Sequence, residues 1–321
     1  MNATATRAAS ATVARVDFGA CVLLPDAGEA FEAIVRGRVM GRKKALGNTL
    51  VVGDRASVAW EHERAIVEAV APRRNAFSRR AAGERAEEQV VAANLDQVVV
   101  VAALADPPFR AGFVDRVLSQ AEHAGIPARL ALNKTDLGDE AEARAILADY
   151  AHAGYAGHAL CAKTGGGIEA LRHACHGRRS LFVGHSGVGK STLLSALAPG
   201  HEQLAGDVNE KTGKGRHTTT AAVLLRPEPE LELIDTPGVR SFALWGIGPR
   251  DLEQAYVEFR RFLGNCRFGD CQHVAEPGCA LRAAVERGDV ARRRFESFLK
   301  LREELEAETR LQRTRESRGR L

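Results

Sequence analysis

Hydrophobic and polar residues alternate in three different ways along the 321-residue chain. The first pattern covers residues 13–71, where short β-rich runs are separated by turns such as Gly47-Asn48 and Gly53-Asp54. This spacing is typical of a small antiparallel barrel. Its predicted strands are residues 13–18, 21–24, 31–39, 50–52, 57–60 and 65–70. We expect residues 72–75 and the polar stretch 78–89 to form a linker.

From Gln97 onward, buried strands alternate with helical segments, which indicates a doubly wound α/β domain. The predicted strands are residues 98–104, 128–132, 158–161, 181–183, 222–225 and 231–234. The predicted helices are residues 114–123, 140–152, 168–176 and 190–197. The dipeptide Pro199-Gly200 would end the last of these helices.

The third pattern begins after Gly248 and predicts a helical module. Pro249 would open a helix that ends at Gly264, with one apolar face formed by Leu252, Tyr256, Phe259 and Leu263. A short helix at 279–287 and a charged amphipathic helix, with Phe295, Phe298 and Leu305 facing inward, would follow. We therefore divide the chain into a disordered tail (1–12), a barrel (13–78), an α/β domain (79–248) and a helical domain (249–321).

The composition fits a soluble chain with several modest cores, at 45% hydrophobic, 27% charged and 5% aromatic residues. The longest apolar run, residues 98–105, is far shorter than the roughly 20 residues that a membrane-spanning helix needs. A transmembrane role is thereby excluded. The first 16 residues carry Arg7 and Arg15 without an acidic residue but lack the apolar stretch of a secretory signal. A frayed tail explains them, and a transit peptide is the alternative.

Charge is distributed unevenly around the formal total of +4. Residues 1–80 contain 13 basic and 8 acidic residues, and residues 281–321 contain 12 and 8, whereas residues 81–280 contain 20 and 25. Two basic ends suggest a polyanionic partner. Ordinary solvated charged faces explain the same numbers.

A phosphate-binding P-loop is predicted at Gly184-His185-Ser186-Gly187-Val188-Gly189-Lys190-Ser191, which follows a predicted strand and opens a predicted helix. Its backbone N–H groups and the helix N-terminus would bind phosphates, Lys190 would reach the β- and γ-phosphates, and Ser191 would ligate Mg²⁺. The predicted residues of this loop are Gly184, His185, Ser186, Gly187, Val188, Gly189, Lys190, Ser191 and Thr192.

The base preference is indicated by Asn133-Lys134-Thr135-Asp136 at the end of a buried strand. A carboxylate at Asp136 accepts hydrogen bonds from the N1–H and the exocyclic amine of guanine, whereas adenine would present an acceptor to it. Cys161-Ala162-Lys163 at a second strand end supports this assignment. The predicted guanine-binding residues are Asn133, Lys134, Asp136, Cys161, Ala162 and Lys163.

Two further motifs have the positions of GTPase switches relative to the P-loop. Asp235-Thr236-Pro237-Gly238 closes a strand, so that Asp235 would hold Mg²⁺ through water and the Gly238 N–H would meet the γ-phosphate. Gly215-Arg216-His217-Thr218-Thr219-Thr220 lies between the P-loop helix and the next strand, where a threonine, Thr219, would ligate the metal. Each motif taken alone is also compatible with an ordinary turn.

The catalytic water needs an orienting group. The residue after Gly238 is Val239, which offers neither a donor nor an acceptor. His217 is the nearest candidate in the sequence, and the predicted catalytic residues are His217, Lys190 and Thr219. A histidine that only packs or contacts RNA is the alternative.

The order of these motifs is unusual, because the base-recognition motifs precede the P-loop and both switches. This order predicts a circularly permuted domain, a rearrangement that is tolerated because domain termini tend to lie close together. As a consequence, the second switch leads directly into the C-terminal domain.

A metal site is predicted at Cys266, Cys271, His273 and Cys279, whose close spacing allows a tetrahedral Cys3His zinc site. Four protein ligands leave no open position, so the ion would be structural. Coincidental cysteines in a helical tail are the alternative. We assign Cys21, Cys161 and Cys175 to packing.

These motifs together closely resemble the circularly permuted, ribosome small-subunit-dependent GTPases of the RsgA/YjeQ family. The likeness extends over nearly the whole chain and includes Val52-Gly53-Asp54-Arg55, Ala93-Asn94-Leu95-Asp96-Gln97, Asp235-Thr236-Pro237-Gly238-Val239-Arg240-Ser241-Phe242 and Glu276-Pro277-Gly278-Cys279. The chain departs from the family pattern at two positions. One is His185 in the P-loop, and the other is Cys161, a position that is usually serine.

The resemblance implies a multidomain α/β chain with an N-terminal OB-fold β-barrel, a circularly permuted P-loop GTPase domain and a C-terminal helical zinc-binding domain. It also implies late maturation of the small ribosomal subunit in the bacterial cytoplasm, and His217 as the water-orienting residue. Contact with 16S rRNA would involve barrel loops carrying Arg36, Arg38, Arg42, Lys43 and Lys44, and a C-terminal tail carrying Arg310, Arg313, Arg315, Arg318 and Arg320. A spacer barrel and a solvated tail are the alternatives.

We therefore predict a monomeric, cytoplasmic GTPase that uses Mg²⁺ and one structural Zn²⁺, hydrolyses GTP to GDP and phosphate, and is stimulated by the small ribosomal subunit. Two other classes of function remain. One is an RNA-binding assembly factor in which the nucleotide only locks a conformation. The other is a GTP-driven metallochaperone that uses the cysteine cluster for metal transfer.

Overall fold

The N-terminal strands form a closed five-stranded barrel in the order β1-β2-β3-β5-β4, the closed architecture expected of an OB-fold. The computed structural model describes residues 9–36, 49–81, 83, 86–200, 222–238 and 241–318. The barrel strands are β1 (Ser10–Val16), β2 (Ala20–Leu24), β3 (Phe31–Val35), β4 (Arg55–Glu61) and β5 (Arg64–Val70). Alternating side chains such as Val13, Leu23 and Val67 fill its interior.

The strand predicted at residues 50–52 is wrong. These residues are buried, but they lie in a turn before Asp54 rather than in a β-ladder. The Val51 N–H donates to the Asp54 carboxylate at 2.8 Å, and the Val52 carbonyl accepts from the Ala93 N–H at 2.9 Å. Leu50 belongs to the barrel core and Val52 to the core of the α/β domain, so burial in these two cores explains the apolar run.

The predicted linker is also wrong in part, because residues 76–80 and 88–93 form two paired β-strands. The strands β6 (Ala76–Arg80) and β7 (Glu88–Ala93) pair antiparallel. Polar residues made the segment resemble a linker, yet they satisfy each other across the strands: Ser78 donates to Glu88 at 2.7 Å and Arg79 to Gln89 at 3.0 Å. The predicted domain boundary after residue 78 falls inside β6.

A six-stranded sheet in the order β10-β9-β8-β11-β13-β12 forms the centre of the α/β domain. Its strands are β8 (Gln97–Ala103), β9 (Ala128–Asn133), β10 (Ala156–Ala159), β11 (Arg178–Gly184), β12 (Val223–Glu228) and β13 (Leu231–Asp235). Neighbouring strands are parallel except for β12, which pairs antiparallel with β13 at the edge. The predicted strands of this domain are thus confirmed.

Helices cover both faces of this sheet. They are α1 (Ala111–His123), α2 (Glu140–His152), α3 (Ile168–Cys175) and α4 (Lys190–Leu197). Every residue of β8 is buried, and its alternate side chains enter different cores: Val98 packs with the α1 side and Val99 with the α3 and α4 side. This two-sided burial explains the continuous apolar run at residues 98–105.

The C-terminal module, residues 249–318, departs from the prediction at its start. The helix expected up to Gly264 is replaced by two 3-10 turns, Leu252–Ala255 and Val257–Phe259. Tyr256 between them has an extended backbone and stacks on Phe259 at a ring-centroid distance of 4.9 Å. The two predicted later helices are confirmed as α5 (Ala280–Arg287) and α6 (Arg292–Arg318).

A buried ion network fixes α6 to the α/β domain. Arg294, at 1% exposure, donates to the Asp115 carboxylate of α1 and to both oxygens of Glu258, at 2.7 and 3.0 Å for the latter. Burial by itself would lower the pKa of Arg294, but Asp115 and Glu258 outweigh it and raise that pKa well above its usual range. The guanidinium therefore remains charged within the interface.

In the described ranges, with their gaps at 37–48 and 201–221 among others, every helix is too short or too polar to cross a bilayer.

Candidate functional site

The P-loop occupies the turn between β11, which ends at Gly184, and α4, which begins at Lys190. Gly187 and Gly189 have φ angles of +86° and +84°, a conformation that favours glycine. A Cβ at Gly184 would lie 2.9 Å from the Val101 carbonyl oxygen of the neighbouring strand. These glycines therefore let the loop turn sharply and close to β8.

Asn133 joins the P-loop to the predicted base-binding loops. Its side-chain amide donates to the Val188 carbonyl at 2.9 Å, and its side-chain oxygen accepts from the Ala162 N–H at 3.0 Å. The side chain is buried, and a Cβ at Gly189 would lie 2.5 Å from its Nδ2. Three motifs far apart in the sequence thus meet at one residue.

The rest of the first base-binding motif is anchored around Asp136. Lys134 has a φ of +57°, and its ammonium donates to the Asp106 carbonyl. The Thr135 hydroxyl donates to the Leu160 carbonyl at 3.0 Å. Asp136 itself lies in the 3-10 turn Thr135–Leu137 and is exposed. Its neighbours hold the turn, and its carboxylate is open to a ligand.

The second base-binding motif, Cys161-Ala162-Lys163, lies in the turn after β10. Cys161 is buried and forms a single antiparallel bridge with Gly166. Lys163 is exposed. Because the Ala162 N–H bonds to Asn133, this turn lies beside the Asn133 motif. The structure thereby brings both predicted base-binding motifs together.

The second switch lies against the P-loop. The buried Lys190 ammonium pairs with the Asp235 carboxylate, and the Thr236 hydroxyl donates to the Phe182 carbonyl at 2.7 Å. A Cβ at Gly238 would lie 3.3 Å from the Ser186 Cα. Ser191 and Thr192 are exposed on the first turn of α4. Lys190 and Asp235 therefore lie together beside the P-loop, and Ser191 follows Lys190 on α4; these are the residue types that a phosphate and its Mg²⁺ require.

Several predicted residues lie outside the described ranges. They are His217, Thr219 and the rest of residues 215–220, Val239, Arg240, Arg38, Arg42, Lys43, Lys44 and Arg320. The backbone at Arg313, Arg315 and Arg318 continues α6. Their assigned roles stay predictions.

The four predicted metal ligands converge, with ligand atoms all within 4.8 Å of one another. The His273 Nδ1 lies 3.6, 3.6 and 3.3 Å from the Sγ atoms of Cys266, Cys271 and Cys279, and the Sγ atoms of Cys266 and Cys279 are 4.0 Å apart. A tetrahedral zinc ion would place sulfur and nitrogen ligands about 3.6 Å apart and two sulfurs about 3.8 Å apart. The cluster therefore fits such an ion.

Surrounding groups orient these ligands. The His273 Nε2 lies 3.0 Å from the Glu253 carboxylate, the usual partner of a metal-bound histidine. The Ala280 and Arg282 N–H groups donate to the Sγ atoms of Cys266 and Cys279, each at 3.4 Å. Glu253 lies 20 residues before His273, and the sequence reasoning missed it because no local spacing connects the two.

Burial raises the pKa of the Cys271 thiol to about 12, and burial also raises the pKa of the Cys279 thiol. A thiolate cluster here consequently requires a cation to offset its charge.

A family model described as RsgA GTPase matches residues 70–245. A curated relative from Gemmatimonas aurantiaca, named small ribosomal subunit biogenesis GTPase RsgA, is 45% identical over 283 residues, covering 87% of this chain and 91% of its own. A relative of the same name from Azotobacter vinelandii is 43% identical over 255 residues, covering 78% and 73%.

Solved structures are similar over almost the full length. The crystal structure of YjeQ from Thermotoga maritima has a TM-score of 0.71 at 30% identity, covering 92% of this chain and 98% of that one. The structure of YloQ, described as a circularly permuted GTPase, has a TM-score of 0.69 at 21% identity, covering 96% and 98%. The latter likeness concerns the fold alone, and it confirms the predicted permuted architecture.

Proposed function

The chain belongs to the RsgA GTPase family and is a GTP hydrolase, and we propose that it acts in small ribosomal subunit biogenesis, with its hydrolysis stimulated by that subunit. The name of relatives up to 45% identical supports the ribosomal role. The observation that carries the nucleotide assignment is Asn133, whose side chain joins the P-loop to both base-binding motifs.

Guanine nucleotide and Mg²⁺ fit the residues that the structure brings together. The P-loop N–H groups and Lys190 would bind the phosphates, and Asp136 would bind the base. Ser191 and Asp235 would hold Mg²⁺, which neutralises charge on the phosphate oxygens when it is bound. The Lys190–Asp235 ion pair keeps these two side chains adjacent.

Subunit stimulation is tested by measuring GTP turnover with and without purified small subunits. We expect a clear increase in the rate of turnover, because the bound subunit would complete the active conformation. Equal turnover in both conditions would instead favour an RNA-binding assembly factor in which the nucleotide only locks a conformation. Purified large subunits serve as the matched control for nonspecific RNA.

His217 orients the catalytic water, and Thr219 ligates Mg²⁺. The support is chemical: Val239 follows Gly238 and has no polar side-chain atom. We expect His217→Ala to retain GTP binding and lose about 10²- to 10⁴-fold in subunit-stimulated single-turnover rate. His176→Ala, which removes an exposed histidine elsewhere, should retain the wild-type rate. A His217→Ala rate within a few-fold of wild type would contradict this role.

The Cys266, Cys271, His273 and Cys279 cluster holds one structural zinc ion. Its support is the four converging ligand atoms and the Glu253 carboxylate behind His273. Four protein ligands leave no open position for chemistry. A metal that chelators remove without loosening the module would favour the metallochaperone alternative.

The partner is the small subunit with its 16S rRNA, which a monomer meets in the cytoplasm. The excess of basic over acidic residues in 1–80 and in 281–321, on either side of the GTPase domain, supports this role. Within the described ranges, Arg36 of the barrel already pairs with Glu61 at 2.7 Å. It would have to exchange that partner for a phosphate.

A further inference from the structure

His185, the second residue of the P-loop, turns its imidazole toward α1. Its Nε2 lies 3.3 Å from the Arg110 Nη1, and its Nδ1 lies 3.0 Å from the Ser186 carbonyl oxygen. The ring also meets Phe113 edge-on, at a centroid distance of 5.9 Å and an angle of 86°. Both ring nitrogens therefore have polar partners, and the carbon edge has an aromatic one.

These partners select one tautomer of the neutral ring. A guanidinium can only donate hydrogen bonds, so the Nε2 facing Arg110 must be the unprotonated acceptor. The proton of the neutral ring then lies on Nδ1, which donates to the Ser186 carbonyl. Arg110 thereby determines which nitrogen is free to hold the backbone.

Holding the Ser186 carbonyl also fixes the next N–H group. In a planar trans peptide the C=O and N–H bonds point in opposite directions. The Gly187 N–H consequently points away from the imidazole, and within the described part of the chain it donates to no other group. Backbone N–H groups in this position of a P-loop bind phosphate oxygens.

Without such a hold, this peptide could turn over at little cost. Gly187 has a φ of +86°, and a residue without a Cβ adopts positive and negative φ about equally. A turned peptide would present the Ser186 carbonyl, rather than an N–H, toward the phosphates. The loop thus needs a group that favours one orientation.

We propose that His185 is a positioning residue of the phosphate site, whose neutral imidazole locks the Ser186–Gly187 peptide with its N–H toward the nucleotide, and that Arg110 holds the imidazole in the tautomer required. The proposal concerns guanine nucleotide binding and is independent of ribosomal stimulation. If this proposal fails, the proposed ribosomal stimulation is unaffected, and if ribosomal stimulation fails, this proposal is unaffected.

The test compares the affinity for GDP with Mg²⁺, measured by titration calorimetry without ribosomes. Loss of one hydrogen bond that orders a binding group should weaken GDP binding about three- to tenfold in His185→Ala. His185→Gln keeps a donor and an acceptor, and we expect it to remain within about twofold of wild type. His185→Phe keeps the aromatic contact with Phe113 but has no polar atom, and it should be as weak as His185→Ala.

A packing role predicts the opposite pattern, with His185→Phe near wild type and His185→Gln weakened, and that result would overturn the proposal. Unchanged GDP affinity in His185→Ala would also do so. Arg110→Ala should weaken binding on its own and add nothing to His185→Ala, because Arg110 acts through the histidine. Additive losses of GDP affinity would show that Arg110 does not act through His185, and they would overturn that part of the proposal. Thermal unfolding of the nucleotide-free variants checks that each is folded. If His185→Ala does not fold, the comparison of His185→Gln with His185→Phe still distinguishes the positioning role from the packing role.

Discussion

Asn133 shows how much of this site depends on single side chains. Its amide contacts the P-loop through Val188 and the second base-binding turn through Ala162. Because the residue is buried, loss of either bond would leave a polar group without a partner, at a cost of about 1–3 kcal/mol. Asp136, by contrast, is exposed and is free to act on a ligand.

Asp136→Asn should therefore exchange base specificity without harming the fold. The carboxylate's two charge-assisted bonds to guanine are worth about 1.5–3 kcal/mol each, so GTP affinity should fall by at least tenfold while xanthosine triphosphate binding is spared. Equilibrium titration with both nucleotides measures this. Glu142→Gln removes an exposed charge from the adjacent helix and should change neither affinity. Unchanged GTP affinity in Asp136→Asn would remove the guanine assignment.

At the scale of elements, α1 connects the nucleotide site to the C-terminal module. Its N-terminal end lies beside the P-loop, where Phe113 contacts His185. Farther along, Gln120 holds the Trp245 backbone twice, accepting from its N–H at 2.8 Å and donating to its carbonyl at 3.2 Å. Trp245 follows the second switch in the chain. A movement of the second switch would therefore be transmitted to α1 through the contacts between Trp245 and Gln120.

The buried contact of α1 with α6 predicts a large effect of one substitution. Arg294→Met would leave the Asp115 and Glu258 carboxylates buried without their cation, which should lower the free energy of unfolding by about 3–5 kcal/mol. Urea unfolding followed by circular dichroism measures this. Arg293→Met removes the neighbouring, more exposed pair with Asp149 and should cost at most about 1 kcal/mol.

Neutralising both carboxylates tests the reason for that loss. Asp115→Asn and Glu258→Gln added to Arg294→Met should recover much of the stability, because the uncompensated charge is removed. If Arg294→Met alone is as stable as the Arg293→Met control, the network does not stabilise the interface.

At the scale of the whole molecule, one apolar core continues from the α/β domain into the C-terminal module. Val114 and Val117 of α1 share it with Phe298 and Leu301 of α6. The opposite face of the sheet, which carries the P-loop helix α4, has a separate core. Damage at the metal centre should therefore leave the nucleotide site intact.

Cys271→Ser tests this separation. We expect it to abolish zinc binding and loosen residues 264–279, since four converging ligands hold this loop. The helix α6 should stay docked through Arg294, and GDP affinity should remain near wild type. Native mass spectrometry measures the zinc and limited proteolysis the loosening, with the exposed neighbour variant Asp270→Asn as control. Finding no zinc in the wild-type protein would contradict the site.

The sequence by itself determined the elements and motifs whose causes are local. The helices at 140–152 and 190–197 were predicted with the bounds that the structure shows, because their start and stop signals, such as Asp139 before the first and Pro199-Gly200 after the second, lie next to them in the chain. The P-loop glycines were equally readable, since a turn that approaches phosphate requires them at fixed spacing. The cysteine and histidine ligands could also be recognised from the sequence, because they lie within 14 residues of one another in the chain.

Only the tertiary structure decided features that depend on distant partners. Leu50 and Val52 are apolar because they are buried in the barrel core and in the core of the α/β domain. The strands β6 and β7 satisfy their backbone groups by pairing with each other and with distant groups such as the Val52 and Ala243 carbonyls. Tyr256 interrupts an expected helix to stack within an aromatic cluster that includes α6. The contacts of Glu253 with His273 and of Arg110 with His185 could not be predicted from local spacing, because each residue meets its partner only after the chain has folded.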